Sequence, residues 1–414
     1  MQKKLIVLAL AGLASSAAFA QTNVTIYGVA DSSLDVINVG STNSVLNQAP
    51  NPLGLTSNTN IGSYTRVSTN SSLLGFRGEE ALGNGLKAIF QLESTVGFDA
   101  NNGINLNRDS YVGLNGGFGT IRLGNQTGPT RALGAAVDVF PGATGIGTNT
   151  AILGKLGNNL VGGNGVNSDI IAPVGQAVLN PNGCARSTTC ASVFDTRWRN
   201  SIAYVSPNFS GFTGTAVYVA NENKTSNWTN NNPANGINER NTYGYDLGLN
   251  YNNGPIMVGL TYNAATFGTN NSNVADGANE LRLAGMYNFG KFSIRGLYAQ
   301  TRGELNGASN IRQNVWGIGG TWDVTPNGRL VGQYYDAGDV TSNGSLKQGA
   351  SLWALGYQHS FSKRTMMYAT YSYLSSDRDV AYDFGVNATG AGAVAGQGQG
   401  GVYQGLALGL RHTF

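Results

Sequence analysis

The chain ends with the segment Tyr403-Gln404-Gly405-Leu406-Ala407-Leu408-Gly409-Leu410-Arg411-His412-Thr413-Phe414. Successive side chains of a β-strand point to opposite faces, so this segment has one face of large apolar residues and one of small or polar residues. An unpaired strand of this kind would promote aggregation in water. The segment therefore predicts a strand that pairs with another strand and closes a β-barrel in lipid.

The first twenty residues have the pattern of a secretory signal peptide. Lys3 and Lys4 precede an apolar run at residues 5–14, and Ala18-Phe19-Ala20 provides the small residues of a cleavage site. We expect residues 1–20 to be removed and residues 21–414 to be exported as the mature protein. No other apolar run reaches the length of about 18 residues that a transmembrane helix needs.

Composition and charge indicate strands and turns, and they argue against nucleic acid as a partner. Charged residues make up 11% of the chain, against roughly 25% in soluble domains, and there are 60 glycines. Without Lys3 and Lys4 the formal charge falls from +3 to +1. A protein that binds nucleic acid needs a clear basic excess.

No motif in the chain points to an enzyme, a cofactor or a metal ion. The sequence lacks the Gly-x-Ser-x-Gly elbow, the phosphate-binding loop and the metal-protease helix, and its two histidines are His359 and His412. Cys184 and Cys190 are its two cysteines, and in an exported chain they predict a local disulfide. The 19 tyrosines and five tryptophans predict aromatic girdles at the membrane interfaces, with a stacking track for sugars as the alternative.

Short connections alternate with long polar ones along the chain. Between them lie short segments of alternating polarity, with no helical period of useful length. Tight turns at one end and long loops at the other are typical of outer-membrane barrels. The predicted turns lie at residues 83–85, 115–117, 206–208, 252–255, 288–291, 325–328 and 361–364.

The hairpins formed by these turns, together with a first strand at Val24–Val36 and a last strand at Gly401–Phe414, add up to sixteen strands. An even number of strands closes the sheet without a free edge and pairs every backbone group inside the membrane. The expected fold class is therefore all-β, a 16-stranded antiparallel transmembrane β-barrel with long external loops. A barrel of eighteen strands is the alternative.

One connection, at residues 126–196, is much longer than the others, with about seventy residues rich in Gly, Asn and Ala. A barrel of this width has a water-filled lumen unless something fills it. Because structureless loops of this length are usually functional, we expect this connection to fold into the lumen and narrow it.

Five segments resemble the general porins of Gram-negative bacteria, in the branch typical of betaproteobacteria. They follow the family order and are spread from one end of the mature chain to the other. The segments are Val24-Thr25-Ile26-Tyr27-Gly28-Val29-Ala30-Asp31, residues 72–93, Asn107-Arg108-Asp109-Ser110-Tyr111-Val112-Gly113-Leu114, residues 200–212, and Gly409-Leu410-Arg411-His412-Thr413-Phe414.

The resemblance implies a homotrimer in the outer membrane, with a third external loop folded inward as the constriction. It also implies that Phe414 belongs to the signal read by the barrel-assembly machinery. The expected partners are this machinery, outer-membrane lipid and lipopolysaccharide, and small hydrophilic solutes and ions. The chain departs from the family at Leu123-Gly124-Asn125-Gln126, because Asn125 stands where an arginine of the constriction is expected.

Six charged residues are candidates for the constriction, where rings of charge set the preference for ions. Alternation in the third predicted strand places Phe90 and Leu92 towards lipid, and therefore Lys87 and Glu93 towards the lumen. Arg77 is a polar residue within a strand, and Arg122 points inward in the fifth strand. Arg108 stands at a position that the resemblance associates with the pore wall. Asp138 is the opposing carboxylate on the loop that is expected to fold inward. For each of them, a place at the rim or along a wide lumen is the alternative.

The expected function is general diffusion of small hydrophilic solutes and ions, with a weak preference for anions. A channel selective for one solute is an alternative within transport. A plugged barrel that acts as an adhesin through its long loops, and a secreted soluble β-sandwich, are alternatives from other classes.

Overall fold

A computed structural model gives the fold of the chain. The structure describes residues 23–40, 62–99, 104–140, 145–156, 194–195, 197–220, 225–227, 238–240, 243–267, 276–305, 308–341, 347–377, 380, 382–385 and 400–414. The predicted signal peptide at residues 1–20, both cysteines and most of the long connection lie outside this part of the chain.

The described residues form twenty β-strands and one α-helix. The strands are β1 (Asn23–Val39), β2 (Gly62–Thr69), β3 (Leu73–Gly83), β4 (Leu86–Val96), β5 (Ile104–Asn105), β6 (Ser110–Gly116), β7 (Gly119–Thr127), β8 (Arg197–Val205), β9 (Phe212–Val219), β10 (Thr225–Asn227), β11 (Asn238–Arg240), β12 (Gly244–Asn253), β13 (Ile256–Phe267), β14 (Asp276–Asn288), β15 (Phe292–Leu305), β16 (Ala308–Asp323), β17 (Gly328–Ala337), β18 (Ala350–Ser360), β19 (Thr365–Ser376) and β20 (Gly401–Thr413). The helix is α1 (Pro129–Val137).

These strands build a closed antiparallel barrel of sixteen strands, as predicted. The long strand β1 pairs with β3 along its first half and with β2 along its second half, so β2 and β3 are two parts of one barrel strand. Likewise, β5 and β6 both pair with β4. The strands β10 and β11 form a separate hairpin. The seven short turns join the strand pairs predicted from the sequence.

The barrel closes between its first and last strands. Strands β1 and β20 pair from Val29–Thr413 to Val39–Tyr403. The amide of Gly28 donates to the carbonyl of Phe414 at 3.0 Å, and the amide of Phe414 donates back at 3.1 Å. A Cβ at Gly28 would lie 2.4 Å from Cζ of Phe414. Glycine at this position therefore leaves room for the terminal ring.

The two faces of β20 are divided as the sequence predicted. Leu406, Leu408 and Leu410 are 43–54% exposed on the outside of the barrel, whereas Tyr403 and Ala407 are buried inside it. The exposed leucines give this strand an apolar outer face, as expected for a barrel in lipid.

The connection between β7 and β8, called the inward loop below, contains a helix that the sequence did not predict. Pro129 occupies the first turn of α1, and the buried residues Leu133 and Val137 follow one helical turn apart. A nine-residue helix is too short to show a clear period in a chain of alternating strands. Among the described residues no helix is long and apolar enough to span a membrane.

Candidate pore constriction

The inward loop packs against the inner surface of the barrel where the wall presents glycines. A Cβ at Gly259 of β13 would lie 2.4 Å from Cδ1 of Leu133, and a Cβ at Gly405 of β20 would lie 2.6 Å from Cδ1 of Ile146. A Cβ at Gly248 of β12 would meet Pro129 at 2.5 Å. Glycine at these inward positions therefore lets the loop backbone approach the sheet closely.

The same wall surrounds the loop with apolar side chains. Leu133, Val137, Ile146 and Ile152 of the loop are at most 2% exposed. They pack in one cluster with inward residues of the barrel, namely Ile37, Met257, Ala284, Leu297, Ala299, Val315, Tyr335, Leu352, Leu374, Tyr403 and Ala407. The wall from β12 to β20 carries the glycines and all of these residues except Ile37, which lies in the adjoining strand β1. This wall is called the loop-bearing wall below. Burial of this apolar surface holds the loop inside the barrel.

The first turn of α1 is hydrogen-bonded to β12. The hydroxyl of Thr130 donates to Asp246 at 2.6 Å, and the indole of Trp198 in β8 donates to the same carboxylate at 3.1 Å. Asp246 is fully buried. It therefore joins the start of the inward loop to two strands of the barrel.

A buried ion cluster anchors the far end of the loop. Arg282 of β14 is fully buried and donates two hydrogen bonds of 2.8 Å to Asp195, which lies just before β8. It also donates to Glu280 on the same face of β14, at 2.8 Å from Nε. A fourth bond from Arg282 reaches the carbonyl of Thr130 at 3.0 Å. One guanidinium thus connects both ends of the inward loop to the wall.

Asp138, predicted to oppose the arginines, is directed into the loop-bearing wall. Its carboxylate accepts hydrogen bonds from the amides of Phe140 and Asn149, from the hydroxyl of Thr148 and from Gln333, all at 2.8–3.0 Å. Its exposure is 7%. Burial raises the pKa of Asp138, although these hydrogen bonds act in the opposite direction. The carboxylate organises the turn after α1.

The opposite part of the inner surface, from β3 to β8, carries arginines stacked on tyrosines. The guanidinium of Arg77 in β3 lies 4.9 Å from the ring centre of Tyr27, and that of Arg122 in β7 lies 5.0 Å from the ring centre of Tyr111. Neither arginine has an ion-pair partner among the described residues. This surface, called the arginine wall below, therefore presents uncompensated positive charge to the lumen.

Glu93 of β4 connects the tyrosines to Arg108. It accepts hydrogen bonds from the hydroxyl of Tyr27 at 2.8 Å and from Gln91 at 2.9 Å, and it pairs with Nε of Arg108 at 3.3 Å. The hydroxyl of Tyr111 donates to Gln91 at 3.1 Å. The structure therefore brings Arg77, Arg108, Arg122 and Glu93 into one network.

Two further arginines adjoin this network. Arg197 of β8 pairs with Asp109 at 2.7 Å. Arg131 of α1 donates to the backbone carbonyl of Asp195. Burial, with the nearby charge of Arg197, lowers the pKa of Arg131 to about 9. Arg131 is therefore still charged at neutral pH, and it adds to the positive side of the lumen.

Lys87 lies apart from the other candidates. It pairs with Glu79 at 2.8 Å, and both side chains are largely exposed. Lys87 is six residues before Glu93 in β4, so the two are about 20 Å apart along the strand. The structure places Lys87 beside the short turn at the end of the barrel.

The exposed face of α1 carries no carboxylate. Ala132, Ala135 and Ala136 are its exposed residues apart from the partly buried Arg131, and they lie opposite the face that packs on the wall. Among the described residues, the arginine wall therefore faces a helix without a carboxylate.

Comparison with known proteins agrees with this architecture. A family model described as Gram-negative porin matches residues 6–379, and outer membrane porin protein 32 of Delftia acidovorans is 31% identical over 100% of both chains. The chain belongs to the Gram-negative porin family. Major outer membrane protein P.IA of Neisseria meningitidis serogroup C is 26% identical, with 84% of each chain covered. Among solved structures, the anion-selective porin from Comamonas acidovorans has a TM-score of 0.69 at 27% identity, covering 95% of this chain and 100% of that chain.

These relatives confirm the predicted family and its betaproteobacterial branch. They also confirm that the porin is an integral protein of the Gram-negative outer membrane.

Asn125, which stands where the resemblance led us to expect an arginine, supports the network. The side-chain amide of Asn125 donates to the backbone carbonyl of Arg108 at 2.8 Å. Arg108 lies in the break between β5 and β6, where no ladder partner holds its carbonyl. Asn125 therefore holds the backbone of Arg108 and adds no charge of its own.

Sequence reasoning did not find the anchor of the inward loop. Alternation in β14 places Glu280 and Arg282 on the same inward face, which is a detectable signal. Their partner Asp195 lies 87 residues before Arg282, and nothing in the local sequence indicates that pairing. Alternation likewise predicts that Tyr27 and Tyr111 lie inside the barrel, but it does not predict which arginine each ring contacts.

A second loop also reaches into this porin. Tyr382 and Phe384, between β19 and β20, are buried in the same cluster as the inward loop. Lys155 of the inward loop lies 5.5 Å from the ring centre of Tyr382. Burial lowers the pKa of Lys155 to about 8. The two loops therefore support each other inside the barrel.

Proposed function

We propose that this porin is a general diffusion pore with a weak preference for anions, through which small hydrophilic solutes and ions pass unchanged and without catalysis. The observation that carries the proposal is the pair Arg77 and Arg122, which face the lumen without carboxylate partners. Fixed positive charge beside a narrow water path lowers the energy of an anion there and raises that of a cation.

The constriction proposed here consists of Arg77, Arg108, Arg122 and Glu93 on one side and the alanine face of α1 on the other. Asp138 acts by holding the loop, since its carboxylate is buried. Lys87 acts at the rim. The anion-selective porin of similar structure supports the sign of the preference.

The test is the reversal potential of the double variant Arg77→Gln/Arg122→Gln in planar bilayers under a salt gradient. We expect the wild-type potential to indicate anion preference, and the variant potential to move towards cations. The matched control is Arg302→Gln/Arg312→Gln, which removes two arginines from the outer face of β15 and β16. An unchanged potential in the Arg77/Arg122 variant would refute the proposed constriction. Folded protein without conductance would favour a plugged barrel.

We also propose that the porin is a homotrimer that associates through β1–β7 and β20. Among the described residues, tyrosines and tryptophans on the outer face occur on strands from β8 to β19 and are absent from β1–β7 and β20. Aromatic girdles mark the surfaces that meet lipid headgroups. The face without them carries exposed aliphatic residues such as Leu34 and Leu408, which are partners in register.

The trimer is tested by native mass spectrometry in detergent, where a mass of three chains is expected. Leu34→Ala/Leu408→Ala should lower the temperature at which the trimer dissociates. Leu260→Ala/Leu283→Ala removes the same groups from a register pair on the girdled face and should leave that temperature unchanged. A single-chain mass for the folded wild type contradicts the proposal.

Processing and assembly complete the proposal. Residues 1–20 are removed on export, Cys184 and Cys190 form a disulfide in the inward loop, and Phe414 is read by the barrel-assembly machinery. The exposed ring of Phe414 at the barrel seam supports its role. Intact-mass measurement before and after reduction tests the cleavage site and the disulfide, and deletion of Phe414 should lower the amount of assembled barrel.

A further inference from the structure

The first strand of the barrel places two carboxylates on its inner face. Leu34 of β1 is exposed on the outside, so Asp35 and, four residues before it, Asp31 point inward. Both residues are fully buried. Burial of a carboxylate costs free energy unless the group is paired with a cation and hydrogen-bonded. The partners of these two residues therefore decide what they do.

Asp35 is paired with an arginine on one neighbouring strand. It is the register partner of Arg66 in β2, and Nε of Arg66 donates to its carboxylate at 3.0 Å. The hydroxyl groups of Ser33 and Ser68 donate to the same carboxylate at 2.6 Å and 2.9 Å. Because the carboxylate is fully buried whereas the arginine side chain is 18% exposed, Arg66 is the partner that solutes can reach.

Asp31 is paired in the same way with the strand on the other side of β1. It is the register partner of Arg411 in β20, and Nη1 of Arg411 donates to its carboxylate at 3.2 Å. The hydroxyl of Tyr368 in β19 donates to this carboxylate as well, at 2.7 Å. Here too the arginine side chain is partly exposed and the carboxylate is buried. Strand β1 thus neutralises one inward arginine on each of its two neighbours.

Both pairs lie beside the inward loop. Ala407 is the register partner of Asp35, and a Cβ at Gly145 of the loop would lie 3.7 Å from Cβ of Ala407. The same Cβ would lie 3.8 Å from the ring of Tyr368. Charges at this level act on solutes that pass the loop. An ion pair acts on such a solute far less than a single charge does, because the fields of its two members largely cancel.

We propose that Asp31 and Asp35 are specificity-determining residues, which limit the anion preference of the pore by neutralising Arg411 and Arg66. The inference rests on the proposed function, and it explains why the preference is weak although several arginines point inward. The arginines that stack on tyrosines in the arginine wall have no such carboxylate, so their charge acts on the solute in full.

The experiment is a double-variant cycle on Asp35 and Arg66, measured as the reversal potential in planar bilayers under a salt gradient. Asp35→Asn leaves Arg66 without its carboxylate, and the two serine hydroxyl groups can rotate to accept from the new amide. We expect the ratio of anion to cation permeability to rise about twofold, the effect of one unit charge beside a hydrated and partly screened path. Arg66→Gln should lower the ratio by a similar factor, and Asp35→Asn/Arg66→Gln should restore the wild-type value.

The matched control is Glu79→Gln. It removes a carboxylate from the exposed pair with Lys87 beside the short turn, where water and salt screen the charge, and it should leave the ratio unchanged. The proposal is overturned if the ratio in Asp35→Asn equals that of the wild type. If Asp35→Asn does not fold, equal ratios in Arg66→Gln and in the double variant overturn the proposal by themselves.

Failure of this inference is distinguishable from failure of the proposed function. A shift of the reversal potential in Arg77→Gln/Arg122→Gln without a shift in Asp35→Asn overturns only the role of the β1 carboxylates. An unchanged reversal potential in Arg77→Gln/Arg122→Gln refutes the proposed constriction, whatever the result for Asp35→Asn.

Discussion

The loop-bearing wall and the arginine wall are built from the same alternating strands, yet their inward residues have opposite roles. On the loop-bearing wall, Gly259 and Gly405 make room for the loop, and the buried cation of Arg282 pairs with the carboxylates of Asp195 and Glu280. On the arginine wall, Arg77 and Arg122 rest on tyrosines and have no ion-pair partner among the described residues. A residue on the inner face therefore either packs against the loop or faces the solute. Its role depends on which side chains the neighbouring strands place next to it.

The largest effect is expected from removing the charge that secures the loop. Arg282→Met leaves Asp195 and Glu280 buried without a cation, and breaking a buried ion pair in this way costs about 3–5 kcal/mol. Release of the loop from the wall relieves this cost, so single-channel conductance should rise and fluctuate more than in the wild type. Planar-bilayer recordings measure both quantities.

The control for Arg282→Met is Arg329→Met. Arg329 pairs with Asp323 at an exposed position near a short turn, and such pairs contribute only about 0–1 kcal/mol. Its conductance should match that of the wild type. Wild-type conductance and noise in Arg282→Met would show that the ion cluster is not what holds the loop.

A smaller effect is expected from Asp138→Asn, which separates the structural role of this residue from an electrostatic one. In the variant, the NH2 group of asparagine faces hydrogen-bond donors that in the wild type donate to a carboxylate oxygen. The loss of such a hydrogen bond costs about 1–3 kcal/mol. Protease digestion of the inward loop should therefore become faster, while the reversal potential stays the same. A shift of the reversal potential towards anions would place this carboxylate at the water path.

Gly259→Ala tests the close approach of the loop to the wall. The added methyl group meets the end of Leu133 and the side-chain oxygen of Asn250, each 2.4 Å from the new Cβ. Overpacking of this kind costs about 1–3 kcal/mol. The temperature at which the folded barrel denatures in gel assays should fall slightly. Gly296→Ala is the matched control, because its Cβ would meet only a carbonyl at 3.9 Å. Equal temperatures for the two variants would contradict the close approach.

The smallest effect is expected on the arginine wall, from Tyr27→Phe. The substitution removes the hydrogen bond to Glu93 but keeps the ring beneath Arg77, so it costs about 0.5–1.5 kcal/mol. The reversal potential should move less than in Tyr27→Leu, which removes the ring as well. A larger shift in Tyr27→Phe would mean that Glu93, and not the stacking, positions the charges.

Much of the barrel followed from local sequence. Alternation placed Leu406, Leu408 and Leu410 outside, and short turns rich in Gly and Asn gave the correct number of strands, because side-chain direction and turn chemistry depend on neighbouring residues only. Alternation also directed Glu93 and Arg122 into the lumen. These features need no knowledge of distant segments.

The roles of the inward residues were decided by the tertiary structure. Asp138 and Arg122 are both charged and both lie inside the barrel, but Asp138 meets Gln333 and the loop backbone, whereas Arg122 meets the ring of Tyr111. Likewise, Arg282 reaches Asp195 only because the closed sheet brings β14 beside the end of the loop. The sequence by itself determined which residues point inward, since that is a property of each strand. Which of them hold the loop and which face the solute depended on contacts between segments far apart in the chain, and these exist only after the barrel has closed around its loop.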